Sequence, residues 1–288
     1  MKILVTGATG SVGRHVTRAL VERGVEVRVL TRNPAAADFP EAVEVVAGDL
    51  ARPETLRPAL EGVERLYLFP HPDTAGEVVA LAKDAGVRRV VVLSSAAVTD
   101  GSDTTHHTPV ERAVEESGLE WTHVRPGEFM GNKVSLWGAS IRAERLVREP
   151  FPDGAWAPVH ERDIADVAVA ALLEDGHAGA AYTLHGPETS SRREQVAAIA
   201  AALGEEVALV EISREEARER YITEVGFPPE VADFMLGYTD YDGNPADPDA
   251  EEDFDVTSYG ELTSLRDAIG KPGRTFAEWA RDHVADFR

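Results

Sequence analysis

Residues 1–6 make a short apolar run that Gly7 stops, and Val12, Val16, Ala19 and Leu20 then share one helical stripe ended by Gly24. Strand, tight turn and helix are predicted in that order. Val25, Val27 and Val29 alternate with Glu26 and Arg28 up to the Asn33-Pro34 break, which completes a βαβ unit in about 30 residues. Further strands are predicted near 43–47, 66–69, 90–93 and 121–124, separated by helices begun at Pro53, near 74–85 and at Thr108-Pro109. Strands alternating with helices imply a parallel sheet covered on both faces. Thr108 and Glu111 read as a capping box, as do Ser191/Glu194, Ser213/Glu216 and Thr275/Glu278. Beyond Pro126 the pattern loosens, resumes in a helix near 164–173 and a strand near 182–184, and ends in a mainly helical C-terminal third.

Charge and composition narrow the partners. The 288 residues carry 51 acidic against 29 basic side chains, a formal net charge of -22, which repels phosphate backbones and anionic lipid. Neither nucleic acid nor a membrane is expected as a partner, and no apolar run approaches the roughly 18–20 residues of a span. The chain opens straight into a strand without a basic leader, so a cytoplasmic protein is expected. The absence of cysteine excludes disulfides, thiolate nucleophiles and zinc–thiolate sites. The charge is uneven: 205–288 holds 22 acidic and 8 basic residues, and 240–255 has eight carboxylates and no base. With its Gly-Asn-Pro and Asp-Pro breaks, 237–260 is expected to be a mobile loop.

The chemistry is concentrated in Gly7-Ala8-Thr9-Gly10-Ser11-Val12-Gly13, directly after the first strand and opening the first helix. There Gly7 permits the tight turn, Gly10 lets backbone approach a pyrophosphate, and Gly13 lets the helix pack close to the sheet while its N-terminal amides face the anion. Thr9, Ser11 and Val12 join the three glycines as candidate cofactor contacts. An NAD-selective site would place Asp or Glu about 20 residues on, to hold the ribose 2′-hydroxyl; this chain has Thr31-Arg32-Asn33. Arg32 could pair with a 2′-phosphate and stack on adenine, so NADPH/NADP+ is the expected cofactor, with a solvated strand-end arginine as the plainer alternative. Arg14 could add a second positive charge. Asp49 either meets the adenine amino group or caps the helix that follows.

Together with Thr31-Arg32, Gly48-Asp49-Leu50, Leu93-Ser94-Ser95-Ala96 and Val124-Arg125-Pro126-Gly127, that loop resembles the NmrA-like atypical short-chain dehydrogenase/reductases. The stretch from Pro158-Val159-His160 to Asp163-Ile164-Ala165-Asp166-Val167-Ala168 fits the same family. The resemblance runs from residue 1 to about 203 and takes in the last helix, near 275–287, but not the acidic insert. It implies an α/β fold, a doubly wound and mostly parallel Rossmann sheet with a smaller, mainly helical C-terminal region. Residues 1–158 are expected to form the NADP-binding domain, with a helix and strand near 159–186 returning to it. Residues 187–288 are expected to bind substrate over the strand ends, with 213–260 as a lid. The resemblance also implies that Leu50, Phe69, Pro70 and Ser94 border the cofactor and that Pro126, Glu128 and Phe129 lie at its nicotinamide face. Trp137, Trp156 and Tyr182 are candidate pocket walls, although large aromatics more often only pack.

In the wider superfamily a Ser after the fifth strand and a Tyr-x-x-x-Lys pair meet the negative charge that hydride addition puts on a carbonyl oxygen. Ser95 matches the serine, and no Tyr here has Lys four residues later. In that place along the chain stands His107-x-x-x-Glu111, with His106 adjacent. Three readings stay open. His107 or His106 donates the proton beside Ser95 with Glu111 raising the imidazole pKa; Glu111 serves only the Thr108 cap; or water or the substrate's own hydroxyl supplies the proton. No H-E-x-x-H, G-x-S-x-G or Walker lysine is present, and no metal is expected. The implied function is an NADPH-dependent ketoreductase acting on an aromatic or polycyclic ketone of secondary metabolism, as in antibiotic biosynthesis. Quinone reduction, or a non-catalytic NADP-binding redox sensor, is the alternative. Epimerase-like chemistry on a nucleotide sugar needs the missing Tyr-Lys pair more. The oligomeric state is left open.

Overall fold

The structure, a computed structural model, describes residues 1–246 and 265–288. The expected acidic loop at 237–260 and lid at 213–260 extend outside the described residues. In chain order the elements begin with β1 (Lys2–Val5), α1 (Gly13–Glu22), β2 (Glu26–Thr31), β3 (Val43–Ala47), α2 (Arg57–Leu60), β4 (Arg65–Leu68) and α3 (Ala75–Asp84). There follow β5 (Arg89–Leu93), α4 (Ala97–Asp100), α5 (Thr108–Glu116), β6 (Glu120–Pro126), α6 (Asn132–Glu144), β7 (Leu146–Glu149), β8 (Ala155–Trp156), α7 (Glu161–Leu173) and β9 (Ala180–Leu184). The remainder is β10 (Ser190–Ser191), α8 (Arg192–Leu203), β11 (Ala208–Glu211), α9 (Arg214–Arg220), α10 (Pro229–Met235), α11 (Leu265–Ile269) and α12 (Phe276–Asp282).

Seven strands pair in the order β3-β2-β1-β4-β5-β6-β9, every pair parallel. A strand buried on both faces can be apolar throughout, which is why β1 reads Lys-Ile-Leu-Val and β5 reads Arg-Val-Val-Val-Leu. α1 buries Gly13, Val16, Thr17 and Leu20; of the predicted stripe Val16 and Leu20 are buried within the helix, Val12 is buried just before it and Ala19 is half-buried, while α2, α3 and α5 pack Leu60, Val78, Val79, Val110 and Val114 into a core with Leu66 and Val92. The strand order reverses between β1 and β4, and in open parallel sheets that reversal leaves a crevice at the carboxyl ends of the two strands. Among the described residues no helix is long and apolar enough to cross a membrane.

The chain divides into two compact units. One holds Met1–Pro126, Glu161–Leu184 and 265–271; the other holds Gly127–His160, 185–246 and Pro272–Arg288. This corrects the expected boundary at 158, because 127–160 belongs to the second unit. The reason is pairing: β7 runs parallel to β11 and β8 antiparallel to β10, so these short strands build two small sheets instead of extending the large one. α7 and β9 belong to the first unit, where β9 pairs with β6. The second unit has its own core, with Trp137, Ile141, Val196, Ile199, Phe276, Trp279 and Phe287.

Candidate functional site

The glycine loop lies at the crevice. Thr6 ties β1 to β4 there: its hydroxyl donates to the Tyr67 carbonyl at 3.0 Å and accepts from the Phe69 amide at 2.7 Å. Gly7 then turns the chain with φ +59°, and the Gly10 amide closes the turn on the Gly7 carbonyl at 2.9 Å. A Cβ on Gly13 would stand 2.2 Å from that same carbonyl oxygen, so only glycine lets α1 start this close to the strand. Thr9, Gly10 and Ser11 are exposed and Val12 is buried beneath them.

Helix α1 begins without a side-chain cap, and among the described residues no carbonyl or side chain takes the amides of Ser11, Val12 and Gly13. Three unsatisfied donors at the positive end of a ten-residue helix suit a pyrophosphate, and the loop therefore fits a dinucleotide. Arg14 bends back, its Nε donating to the Gly10 carbonyl at 3.1 Å, which stiffens the loop. Arg32 is exposed at the end of β2 and has no ion-pair or hydrogen-bond partner among the described residues, leaving its guanidinium open to a ligand.

The neighbouring strand ends are braced around this loop. Asp49 accepts from the Ala51 amide at 3.1 Å and lies 3.5 Å from Arg52 Nε; it does not cap the helical turn that follows, which starts after Arg52 without a side-chain cap. The Thr74 hydroxyl donates to the Leu50 carbonyl at 2.7 Å. Its single proton is thereby spent, so at the 2.9 Å contact with His71 it accepts, and His71 carries its proton on Nδ1. Phe69 is 44 % exposed with its ring against Gly7, and Pro70 follows half-buried. Pro126, at the end of β6, is buried, and its carbonyl accepts from the Ala96 amide at 3.0 Å.

The residues proposed for catalysis are arranged differently from expectation. Ser95 is half-buried and its Oγ accepts from the Ala97 amide at 3.3 Å, which leaves the hydroxyl proton to donate elsewhere. Ser94 is turned away: its hydroxyl donates to Glu111 Oε1 at 2.5 Å inside the core. Glu111 is also gripped by Arg125, with Nε to Oε1 at 2.9 Å and Nη2 to Oε2 at 2.5 Å. The Thr108/Glu111 capping box does not form; His107 takes the cap position, and Thr108 donates to the Asp103 carbonyl at 2.5 Å.

His107 therefore has another partner. Its Nδ1 is 2.6 Å from Asp103 Oδ2, and that buried carboxylate also accepts the backbone amides of His106 and His107, each at 2.9 Å. Burial lowers the His107 pKa in spite of Asp103, which contradicts the expected rise driven by Glu111. Burial would raise the Asp103 pKa, but the two amides and the imidazole outweigh it and hold the carboxyl below its usual range. His106 is exposed. Asp103 was missed in the sequence, although its spacing four residues before His107 was there to be read.

Glu128 and Phe129 fall in the second unit. Phe129 bridges to Val159, and Glu128 accepts from Lys133 Nζ at 2.5 Å and from Arg192 Nη1 at 2.9 Å. The carboxylate of Glu128, expected at the nicotinamide face, is thus engaged by two cations of its own unit. His185 was also missed: a Cβ on Gly127 would stand 2.9 Å from its ring, beside the end of β6. Among the described residues one grouping, Glu111, Glu115 and His123, has ligand atoms within 4.8 Å of one another. The Arg125 guanidinium already engages both Glu111 oxygens of that grouping.

Comparison with known proteins follows the same line. A family model described as NAD(P)H-binding matches residues 7–175. The chain is 37 % identical over 293 residues to a (4-alkanoyl-5-oxo-2,5-dihydrofuran-3-yl)methyl phosphate reductase of Streptomyces griseus, covering 99 % of each. It is 35 % identical over 301 residues to an NAD(P)H azoreductase of Xenophilus azovorans, again covering 99 % of each. Among solved structures, an NADPH-dependent quinone oxidoreductase of Escherichia coli complexed with NADPH superposes with a TM-score of 0.74 at 25 % identity, covering 98 % of this chain and 99 % of that one. A Citrobacter triphenylmethane reductase complexed with NADP(H) gives 0.76 at 23 % identity, covering 99 % and 100 %.

Proposed function

The chain belongs to the NAD(P)H-binding family, among the NmrA-like atypical short-chain dehydrogenase/reductases, and from that premise we propose that it is an NADPH-dependent reductase of small conjugated carbonyl compounds. The observation that carries the cofactor half of this reading is the pairing of an uncapped α1, whose Ser11, Val12 and Gly13 amides find no acceptor among the described residues, with an Arg32 just past the end of β2 that has no partner among them either. The amides and the helix dipole would hold the pyrophosphate, and Arg32 the 2′-phosphate that distinguishes NADPH. NADPH, when bound, supplies a hydride.

What this chain's own residues do for the acceptor follows from what they lack. Without a Tyr-x-x-x-Lys pair, a strong acid is absent from the usual place, so an acceptor that spreads its developing charge over a conjugated system is favoured. Ser95 Oγ–H would meet the charge on oxygen as a hydrogen-bond donor, and His107, its Nδ1 proton directed to Asp103, would be fixed in one tautomer. The named substrates of the relatives, an alkanoyl furanone phosphate and azo compounds, are conjugated acceptors and support the same class. Aromatic and polycyclic ketones of secondary metabolism, and quinones, lie within it.

The test is oxidation of NADPH by the purified protein, followed at the nicotinamide absorbance, against conjugated ketones, quinones and saturated ketones in parallel. Turnover of conjugated acceptors with little or none of saturated ketones is expected. Tight NADPH binding with no turnover of any acceptor would refute the enzyme reading in favour of an NADP-binding redox sensor.

A further inference from the structure

The second unit contains a buried charge cluster for which neither the cofactor nor Ser95 and His107 accounts. Lys133, on α6 and 1 % exposed, donates to Glu128 Oε1 at 2.5 Å. Arg192, the first residue of α8, sends Nη1 to both Glu128 oxygens at 2.9 Å and to Gln195 Oε1 at 3.3 Å. Its Cζ sits 3.8 Å from the centre of the Trp156 ring, so the guanidinium is held on an aromatic surface as well as by charge.

Two cations share one close carboxylate; burial pushes the nearby Glu149, bonded to Trp137 Nε1 at 3.2 Å, toward its neutral form and likewise lowers the Lys133 pKa to about 8, whereas Arg192 keeps its charge. Arg192 also stands at the positive end of a helix, where a cation is unfavourable. A structural role for Glu128 would be met by Lys133 alone. The helix amides are not available donors, since those of Arg192 and Arg193 go to the carbonyls of Gly154 and Pro152 and the Ser191/Glu194 box is closed. The Arg192 side chain has donors to spare: Nε and Nη2 bond to nothing among the described residues, on a side chain that is 12 % exposed.

We propose that the Nε/Nη2 edge of Arg192, held by Trp156 and Glu128, is a recognition site for an oxyanion, a carboxylate or phosphate carried on a small molecule. A guanidinium offers its edge as a fork matched to two oxygens, and one already fixed by stacking loses little freedom on binding. Only the identification of the carrier as a substrate rests on the reductase reading; the binding itself does not.

Calorimetric titration of the full-length protein with benzoate, inorganic phosphate and neutral benzamide tests the site without any turnover. Wild type is expected to bind benzoate or phosphate saturably at one site and benzamide not at all, and the two oxyanion arms decide which group is preferred. Arg192→Gln should weaken the preferred oxyanion at least ten-fold. Arg193→Gln changes net charge equally at an exposed neighbour paired with Asp153 at 2.9 Å, and should leave binding as it was. Thermal unfolding checks that each variant folds. If Arg192→Gln does not, Arg192→Lys keeps the charge but loses the fork, and binding equal to wild type in that variant would overturn the proposal. No saturable binding by wild type, or equal weakening by both glutamine variants, would also overturn it. Oxyanion binding without NADPH turnover would leave the site standing and remove only the reductase reading.

Discussion

A methyl group at Gly13 would be placed 2.2 Å from the Gly7 carbonyl oxygen and 2.9 Å from Ala8 Cα, both backbone atoms that cannot swing aside. Gly13→Ala is therefore expected to push α1 away from β1, costing about 1–3 kcal/mol as overpacked sites do, and to weaken NADPH as the amides of 11–13 move. Urea unfolding with a parallel NADPH fluorescence titration measures both. His107 gives a second test, through pH. Burial depresses its folded pKa below 6.5, so as pH falls below that value the unfolded chain takes up the proton first, and its contribution to stability declines with acid. Asp103 opposes the depression, so Asp103→Asn should lower the His107 pKa further, followed by the ring resonances in an NMR titration. A rise in the variant would contradict the assignment of Asp103 as the group that holds the imidazole.

At the scale of elements, a buried ion pair ties α5 to the sheet, beside the packing of Val110 and Val114 and the 3.1 Å contact of His123 Nε2 with Glu115. Glu111 lies on α5, Arg125 on β6 and Ser94 just past β5, so the carboxylate joins three elements. Removing one partner of a buried pair leaves the other uncompensated, and Glu111→Leu is expected to cost about 3–5 kcal/mol, read as a lower urea midpoint with an unchanged slope. The same residue shows why part of the structure was legible in the sequence and part was not. The boxes at Ser191/Glu194 and Thr275/Glu278 close as predicted because both partners lie within one turn. Thr108/Glu111 has the same spelling, but Glu111 is claimed by Arg125, 14 residues away and on another element. The seven strands and α1 follow from local hydrophobic period, whereas β7, β8, β10 and β11, of two to four residues and paired across long intervals of chain, carry too little pattern to be read. The glycine loop was legible because its geometry is set by seven consecutive residues; the Glu128–Lys133–Arg192 cluster spans 64 residues of chain and was not.

For the molecule as a whole, a net charge of -22 repels a cofactor that is itself a polyanion, so the attraction has to be local. On the reading proposed above, it would come from the N-terminus of α1 and from Arg32, which follow β1 and β2, neighbours in a sheet whose order reverses beside β1. On the same reading, selectivity between NADPH and NADH would rest on Arg32, since the cofactors differ only in the 2′-phosphate that this side chain would meet. One charge-assisted contact of that kind is worth about 1.5–3 kcal/mol, or roughly ten-fold to a hundred-fold in affinity. The most direct measurement is steady-state turnover of a single conjugated acceptor with NADPH and with NADH, by wild type and by Arg32→Ala. The account predicts a preference for NADPH of at least about ten-fold in wild type, lost in the variant through a higher KM for NADPH while NADH is used as before. Equal use of the two cofactors by wild type, or a preference that survives in Arg32→Ala, would contradict it.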